Sequence, residues 1–500
     1  MGMWLGCLLL ACTLYQRACN LSRTEGKHPS GTAGGLALCR VACYSHAGEP
    51  TSWPVAIALP GESLSLVFSS LPRLAPKDRS VEHGDTSART GGSALLQPTV
   101  VDSEVRADPV EEERADGRPS RYACALDPRK IDPDAAKVVR RLVRHGYEAY
   151  LVGGCVRDSL LGRSPKDFDV ATSAQPDDVQ RLFRNCRIIG RRFRLAHVFF
   201  SGGKVIETAT FRRNPTSEEK IGDQLLIRRD NFFGRADEDA VRRDFTINAL
   251  FYDLEAKQVI DWCGGVEDLQ RRAVRTIGDP IVRFLEDPVR MLRAIKFSSR
   301  LNLGMTPNVY HAIVQCRGAL AMAARPRLFE EVMRLLREGA AQTCFWLCWE
   351  TGVLDVLLPE VSTYLYDRPA EDASFWELLA ELDRYTEERG EAPDDIVLWT
   401  CLLFEPLLEA CLSEAESSNA ATDFLEPIIE RLNVPRRVAD AVRRIVAQLP
   451  RMYAGRAGRF SRTPLYAPAC EVLALLGDSH PKLAAFLEAT PKKKRRRKRT

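Results

Sequence analysis

After its first fifteen residues the chain has no apolar run long enough to cross a bilayer, which excludes an integral membrane protein built on helices. The apolar stretch Trp4 to Tyr15 is itself too short. No Lys or Arg precedes Arg17, so it lacks the positive leader of a secretory signal, although Leu9-Leu10-Ala11-Cys12 faintly resembles a lipoprotein box. Histidine is scarce, at seven in 500 residues. Cys344 and Cys348 have helical i,i+4 spacing without a histidine nearby, so structural zinc is not expected. No His-Asp cluster stands in the C-terminal half, so no hydrolytic metal centre is expected there.

Cysteine is not lacking: there are fifteen. Ten lie between Cys124 and Cys470, mostly inside apolar segments where a free thiol behaves as a small core residue. This pattern points to a reduced, cytoplasmic protein. The net charge of +4 hides an asymmetry, because Lys492 to Arg499 carry +8 and the remainder carries −4. Five hundred residues exceed one core, so two to four domains are expected. Residues 70–120 are rich in Pro, Ser, Gly and charge, with little periodicity. The 1–120 extension is therefore expected to have no defined fold.

The densest signal is Leu151-Val-Gly153-Gly154-Cys-Val-Arg157-Asp158, followed by Pro165-Lys-Asp167-Phe-Asp169. Tyr150 to Val152 predict a buried strand, two glycines a sharp turn, and Val156 to Leu161 a short helix. Backbone N–H groups at such a turn suit a phosphate chain. Asp167 and Asp169, two apart on a strand, project from one face while Phe168 points to the other. Paired carboxylates repel unless cations lie between them.

Upstream, Asp134 to His145 predict a helix ended by Gly146. Downstream, Pro176 to Arg184 predict a helix, and Arg187 to Ile189 and Leu195 to Phe200 predict strands. Ser201-Gly-Gly makes a turn, and Lys204 to Phe211 returns as the second arm of a hairpin. On that arm Val205, Glu207, Ala209 and Phe211 share a face. Glu207 is either a solvated edge residue or a third carboxylate for the site. Residues 212–235 read as a mobile loop. Arg242-Arg243-Asp244-Phe-Thr-Ile-Asn248 reads as a helix entering the core beside a nucleotide, and Asp261 to Leu269 as a second glycine turn and hinge.

From Asp287 the periodicity is helical, with segments Arg325 to Leu336, Phe345 to Leu358, Phe375 to Tyr385 and Ile428 to Leu449, and no β pattern returns. Asp287-Pro288 starts a helix. Asp287 either caps that helix and pairs with Arg290, or the two read the edge of a base. The fold class is thus an α/β head, a mixed β-sheet with flanking helices, followed by an all-α neck, body and tail.

Five blocks in order resemble the class II nucleotidyltransferase superfamily of bacterial poly(A) polymerases and CCA-adding tRNA nucleotidyltransferases. They are Gly153 to Asp158 with Asp167-Phe-Asp169, Arg242 to Asn248, Asp261 to Leu269, Glu286 to Arg293, and Arg325 to Leu336. The resemblance implies a catalytic head at 121–275, a neck with a base-recognition helix at 276–345, an RNA-binding body and tail at 346–490 and a basic tail at 491–500.

It also implies catalysis by Asp167, Asp169, Asp244 and Glu207, with Asp167 and Asp169 holding two Mg²⁺ ions. ATP would meet Gly153, Gly154, Arg157, Arg243, Asn248, Asp287, Arg290 and Arg293. An RNA 3′-hydroxyl would attack the α-phosphorus in line and release pyrophosphate.

Ile188 to Val198, with Arg191, Arg192 and Arg194, resembles the block that marks the poly(A) polymerases within the superfamily. The tail of Lys492, Lys493, Lys494, Arg495, Arg496, Arg497, Lys498 and Arg499 would hold RNA through phosphates, or serve only as a solvated run or a nuclear signal. The expected activity is template-independent poly(A) addition in RNA processing or turnover, with RNA-degradation or RNA-chaperone proteins as partners and no membrane. CCA addition and a catalytically silent RNA-binding role are the alternatives.

Overall fold

The computed structural model describes residues 37–44, 50–57, 118–124, 126–190, 194–214, 232–368, 373–413 and 419–477, the first two segments by backbone alone. Arg191, Arg192, the 491–500 tail, the Trp4 to Tyr15 stretch and most of the 212–235 loop lie outside the described residues. Two compact units are present, 1–106 and 107–500. In the first, β1 (Ala37–Tyr44) and β2 (Pro50–Ile57) pair antiparallel, strands that the sequence reading of 1–120 omitted.

The second unit begins with β3 (Ser120–Ala123) and α1 (Pro133–Arg144). Helix α1 starts because Asp132 accepts from the amides of Asp134 and Ala135 while Pro133 fills the first turn. Its Ala135, Val138, Val139 and Leu142 form the buried stripe. Next come β4 (Ala149–Val152), α2 (Gly154–Leu160), β5 (Asp169–Thr172), α3 (Pro176–Leu182), β6 (Cys186–Ile189), β7 (Leu195–Phe199) and β8 (Val205–Thr210). Helix α4 (Ala236–Val241), β9 (Leu250–Asp253) and β10 (Gln258–Asp261) complete an eight-stranded mixed sheet of order β3-β10-β9-β4-β5-β8-β7-β6. Every neighbouring pair is antiparallel except β5 and β8.

Alternation along the strands builds two apolar layers. Leu151, Val170, Ile206, Val198 and Tyr252 face the main core shared with the helices. Val152, Ala171, Phe211, Phe251 and Ile260 face a smaller layer with Ala236 and Ala240 of α4. The second layer is short, and beyond its end the sheet surface carries Asp169 and Glu207. Strand β8 is interior, so Glu207 is not an edge residue, although its side chain is exposed as the solvated reading expects.

The Arg242–Asn248 block is not the helix expected from its sequence. Helix α4 ends at Val241, a short 3-10 turn spans Thr246–Asn248, and β9 begins at Leu250. Asp244 forces the break by accepting from its neighbour's amide, Phe245 N, at 2.9 Å. The second glycine turn leads into α5 (Gly265–Gln270) and is a brace rather than a hinge. Fully buried Asp261 accepts from the amides of Cys263, Gly264 and Val266, each at 2.9 Å. A Cβ at Gly265 would lie 2.2 Å from the Thr246 carbonyl oxygen, so only glycine allows this approach.

Two two-residue strands, β11 (Ala273–Val274) and β12 (Gly304–Met305), pair in parallel, so a trace of β structure does return after Asp287. Between them lie α6 (Pro280–Glu286), capped by Asp279, and α7 (Val289–Leu301). Helix α8 (Pro307–Cys316), α9 (Arg325–Arg337), α10 (Ala341–Glu350), α11 (Val353–Leu357) and α12 (Pro359–Tyr366) follow. The helix expected over Phe345 to Leu358 is divided at left-handed Gly352. Beyond α13 (Ser374–Arg389) comes α14 (Asp395–Ser413), a buried central helix whose Val397 to Phe404 are apolar on every side except Thr400. The helix expected over Ile428 to Leu449 is two, α15 (Ala420–Leu432) and α16 (Arg436–Tyr453), separated by left-handed Asn433 and Pro435. The last described helix is α17 (Tyr466–Leu476).

The ten described cysteines are free thiols, with burial pushing Cys344 up to about 12. Among the described residues no helix is long and apolar enough to cross a membrane.

Candidate active site

A cleft of about 510 Å³ opens beside β8, where β4 ends and β5 and α2 begin. Gly153 turns the chain from β4 into α2 at φ 73°, and its amide donates to Leu250 O at 2.9 Å. A Cβ there would stand 3.1 Å from the Arg243 guanidinium. This glycine turn therefore clamps strand β9 and presents the first amides of α2 to the cleft.

Across the turn, Phe168 is buried while Asp167 and Asp169 are exposed, the alternation expected from the sequence. The parallel register that pairs Ala171 with Ala209 places Asp169 beside Glu207, two residues earlier on each strand. Glu207 also lies 3.6 Å from His197 Nε2 across β7 and β8, and Arg187 of β6 stands opposite His197 on its other side.

The Asp169 carboxyl is pushed up to about 6, first by the surrounding protein mass and then by Glu207 and Asp167, against the opposing pull of Arg243. Hard oxygen donors with unbalanced negative charge suit a divalent cation such as Mg²⁺. Among the described residues no three His, Cys, Asp or Glu side chains gather at ligand distance. Asp167 and Asp169, with Glu207 beside Asp169, are the residues that could hold such an ion.

A carboxyl raised from 3.8 to about 6 favours the folded state below pH 4, and that contribution is lost as pH rises through 6. Asp169→Asn should therefore stabilise the metal-free protein at pH 8 by about 1 kcal/mol, a figure discounted because the side chain is open to solvent. The gain should shrink between pH 6 and 4 in paired thermal melts. An equal gain at both ends of that range would remove the charge as its cause.

The cationic side of the cleft is organised by residues the sequence reading passed over. Asp239 of α4, 6% exposed, accepts from Arg212 N at 3.1 Å, Arg242 Nε at 3.3 Å and Arg243 at 3.0 Å. Arg283 of α6 donates to the carbonyls of Arg242 and Arg243 at 2.9 and 2.5 Å. Neither residue follows a short motif, since Asp239 acts across the turn and Arg283 from 40 residues away.

Arg157 is also not a simple phosphate ligand. It is 3% exposed, bonds Asp158 at 2.8 Å and Asn248 Oδ1 at 2.6 Å, and its guanidinium lies 5.0 Å from the centre of the Phe297 ring. Asn248 in turn donates to Asp244 at 3.1 Å, and Asp244 receives Arg293 at 2.6 Å. Burial alone would raise Asp244, but Arg293 and the Asn248 amide hold it below the usual carboxylate range. On the other side Asp158 meets Arg300, which lies 3.3 Å from Glu338. Lys296 stands 3.5 Å from Glu331 and 3.7 Å from Glu338. One charged chain therefore runs from the cleft to helices α7 and α9.

Asp287 does not cap α7. Its carboxylate takes both Arg327 nitrogens, at 3.1 and 2.9 Å. Arg290 goes to Glu286 at 3.1 Å and Arg283 O at 2.9 Å, so the two side chains are not paired with each other. Arg293, one turn on, lines the cleft with Phe297. Arg194, at φ 36°, is 2.6 Å from Asp177.

A mixed sheet carrying carboxylates beside a strand, glycine turn and helix, with an arginine-rich wall opposite, defines a nucleotidyltransferase. The family described as "Poly A polymerase head domain" matches residues 149–275, and "Probable RNA and SrmB- binding site of polymerase A" matches 302–365. Poly(A) polymerase I of Salmonella typhimurium is 37% identical over 391 residues, 73% of this chain and 83% of that protein. The CCA-adding enzyme of Geobacillus stearothermophilus is 39% identical over 226 residues, 45% of this chain and 54% of that enzyme. An apo CCA-adding enzyme structure superposes with a TM-score of 0.50 at 22% identity, covering 72% of this chain and 84% of that one, a likeness of fold. The chain belongs to the bacterial poly(A) polymerase family, within the superfamily shared with the CCA-adding enzymes.

Proposed function

We propose that the protein is a template-independent poly(A) polymerase that adds AMP from ATP to RNA 3′ ends and releases pyrophosphate. The observation that carries this reading is the extent of the likeness. It runs through 83% of a poly(A) polymerase I, against 54% of a CCA-adding enzyme.

In this reading Asp167 and Asp169 hold the divalent metal, which neutralises the triphosphate and makes the RNA 3′-hydroxyl easier to deprotonate. The amides at the start of α2 and the guanidinium of Arg243 hold the phosphate chain. Asp244, locked by Asn248 and Arg293, positions the ribose side of the nucleotide. The protein contributes position and charge, and no covalent nucleophile is required. Base reading by Asp287 and Arg290 requires the nucleotide to replace Arg327 and Glu286 as their partners.

The test is incorporation with Mg²⁺ and ATP or CTP, singly and together. The acceptors are an unstructured RNA and a tRNA lacking its 3′ CCA, resolved at single-nucleotide length. A long ladder on unstructured RNA with ATP alone is expected. Addition of only C, C and A to the tRNA would assign the CCA activity instead, and extension of neither would leave a binding role.

A further inference from the structure

Three arginines share one carboxylate in the wall of the cleft. Buried Asp239 accepts from Arg242 Nε at 3.3 Å, and from Arg243 Nε and Nη2 at 3.3 and 3.0 Å. It also accepts from the main-chain N–H of Arg212, just past β8, at 3.1 Å. One negative charge thus stands against three positive ones, and all four residues line the cleft.

The three cations are not equivalent. Arg243 is the one that acts on Asp169, and a Cβ on Gly153 would lie 3.1 Å from its guanidinium. Arg242 acts on Arg212 instead. Burial first, and then the charge of Arg242, push the Arg212 guanidinium below its usual range, against the pull of Asp239. The order of influence from Asp169 is Arg243, then Asp239, then Arg242 with Arg212. Like charges this close repel unless an anion stands between them. Arg242 meets no second carboxylate at ion-pair distance among the described residues. Because Asp239 takes it by Nε, both terminal nitrogens of that guanidinium remain for a ligand.

We propose that Asp239 is a positioning residue for the leaving group. It sets the Arg242 fork, beside Arg212, to take the β- and γ-phosphates of the nucleotide and then the pyrophosphate. This deepens the nucleotidyl-transfer reading above and rests on it. In that reaction the RNA 3′-oxygen bonds the α-phosphorus as the bond to the α–β bridging oxygen breaks. The electron pair leaves on pyrophosphate, and the hydroxyl proton passes to water. Negative charge grows at the β-phosphate, where a guanidinium already in place lowers the barrier.

Charge and positioning predict opposite signs for Asp239→Asn. Removing the carboxylate makes the wall more positive, so attraction alone would tighten pyrophosphate, whereas a fork set loose would bind it more weakly. The test titrates the full chain calorimetrically, in Mg²⁺ buffer, with inorganic pyrophosphate and with AMP, which has no β-phosphate. Arg242→Gln, at a half-exposed side chain, should raise the pyrophosphate Kd about tenfold and leave that of AMP within about twofold. Asp239→Asn should raise the pyrophosphate Kd at least as much. Adding Arg242→Gln to it should cost less than about threefold more, because the fork is already out of place.

Asp239→Glu keeps the charge and moves it by one methylene, so about a threefold rise is expected. That variant decides the matter if Asp239→Asn fails to fold. In incorporation assays Asp239→Asn should lower kcat as well as raise KM for ATP, since the charge is greatest in the transition state. Tighter or unchanged pyrophosphate binding in Asp239→Asn, or unchanged binding in Asp239→Glu, overturns the positioning role. An unchanged Kd in Arg242→Gln, or an equal loss for AMP, does the same. If the unsubstituted protein incorporates no AMP, the activity reading fails, while selective binding of pyrophosphate still decides the subsite.

Discussion

Asp167→Ala and Asp169→Ala should each lower nucleotide incorporation by about 10³-fold or more, while affinity for RNA stays within about twofold. The size follows from the setting of the two carboxylates. Asp169 stands beside Glu207, and among the described residues Arg243 is the cation that offsets it, so in the proposed reading the remaining charge serves an external cation. Removing either leaves the triphosphate without its anchored counter-ion, a loss of several kcal/mol in the transition state. Single-turnover extension and filter binding on the same preparations separate the two effects, and retained incorporation in either variant would sink the two-carboxylate assignment.

Arg157→Met should unfold the head far more than it weakens ATP binding. The guanidinium is buried, and it satisfies Asp158 and Asn248 while lying against Phe297. Its loss leaves Asp158 with only Arg300, at 3.4 Å, and Asn248 Oδ1 without its donor. Breaking a buried pair in this way costs about 3–5 kcal/mol. Arg157→Lys should recover little of it, because a single ammonium cannot reach both acceptors with the planar fork of a guanidinium. Urea unfolding followed by circular dichroism is the measurement. A transition within about 0.5 kcal/mol of the unsubstituted protein, paired with a raised KM for ATP, would return Arg157 to the role of a plain phosphate ligand.

The two variants divide what the sequence determined from what the tertiary structure decided. Gly153-Gly154, Asp167-Phe-Asp169 and the strand and helix periods around them were legible because each is local. A turn needs glycine within one or two residues, and strand alternation fixes which side chains share a face. The carboxylate face, the mixed sheet with helices and the helical C-terminal region could all be read that way.

The shape of the Arg242–Asn248 block could not be read in this way. Its apolar spacing fits a helix, but Asp244 bonds the backbone locally and Arg293 and Asn248, from α7 and the 3-10 turn, fix it there. Arg157 and Asp287 carry the same lesson. Each matches a motif whose implied role is to touch nucleotide, yet each is bound to a partner, Asn248 or Arg327, far along the chain. Sequence supplies the charges but not their pairing, because ion pairs depend on which segments the core brings within a few ångströms. The basic tail is conspicuous in the sequence because its charges are contiguous. The gathering of Arg212, Arg242 and Arg243 around Asp239 was not, since 27 residues separate Arg212 from Asp239 and only the fold closes that distance.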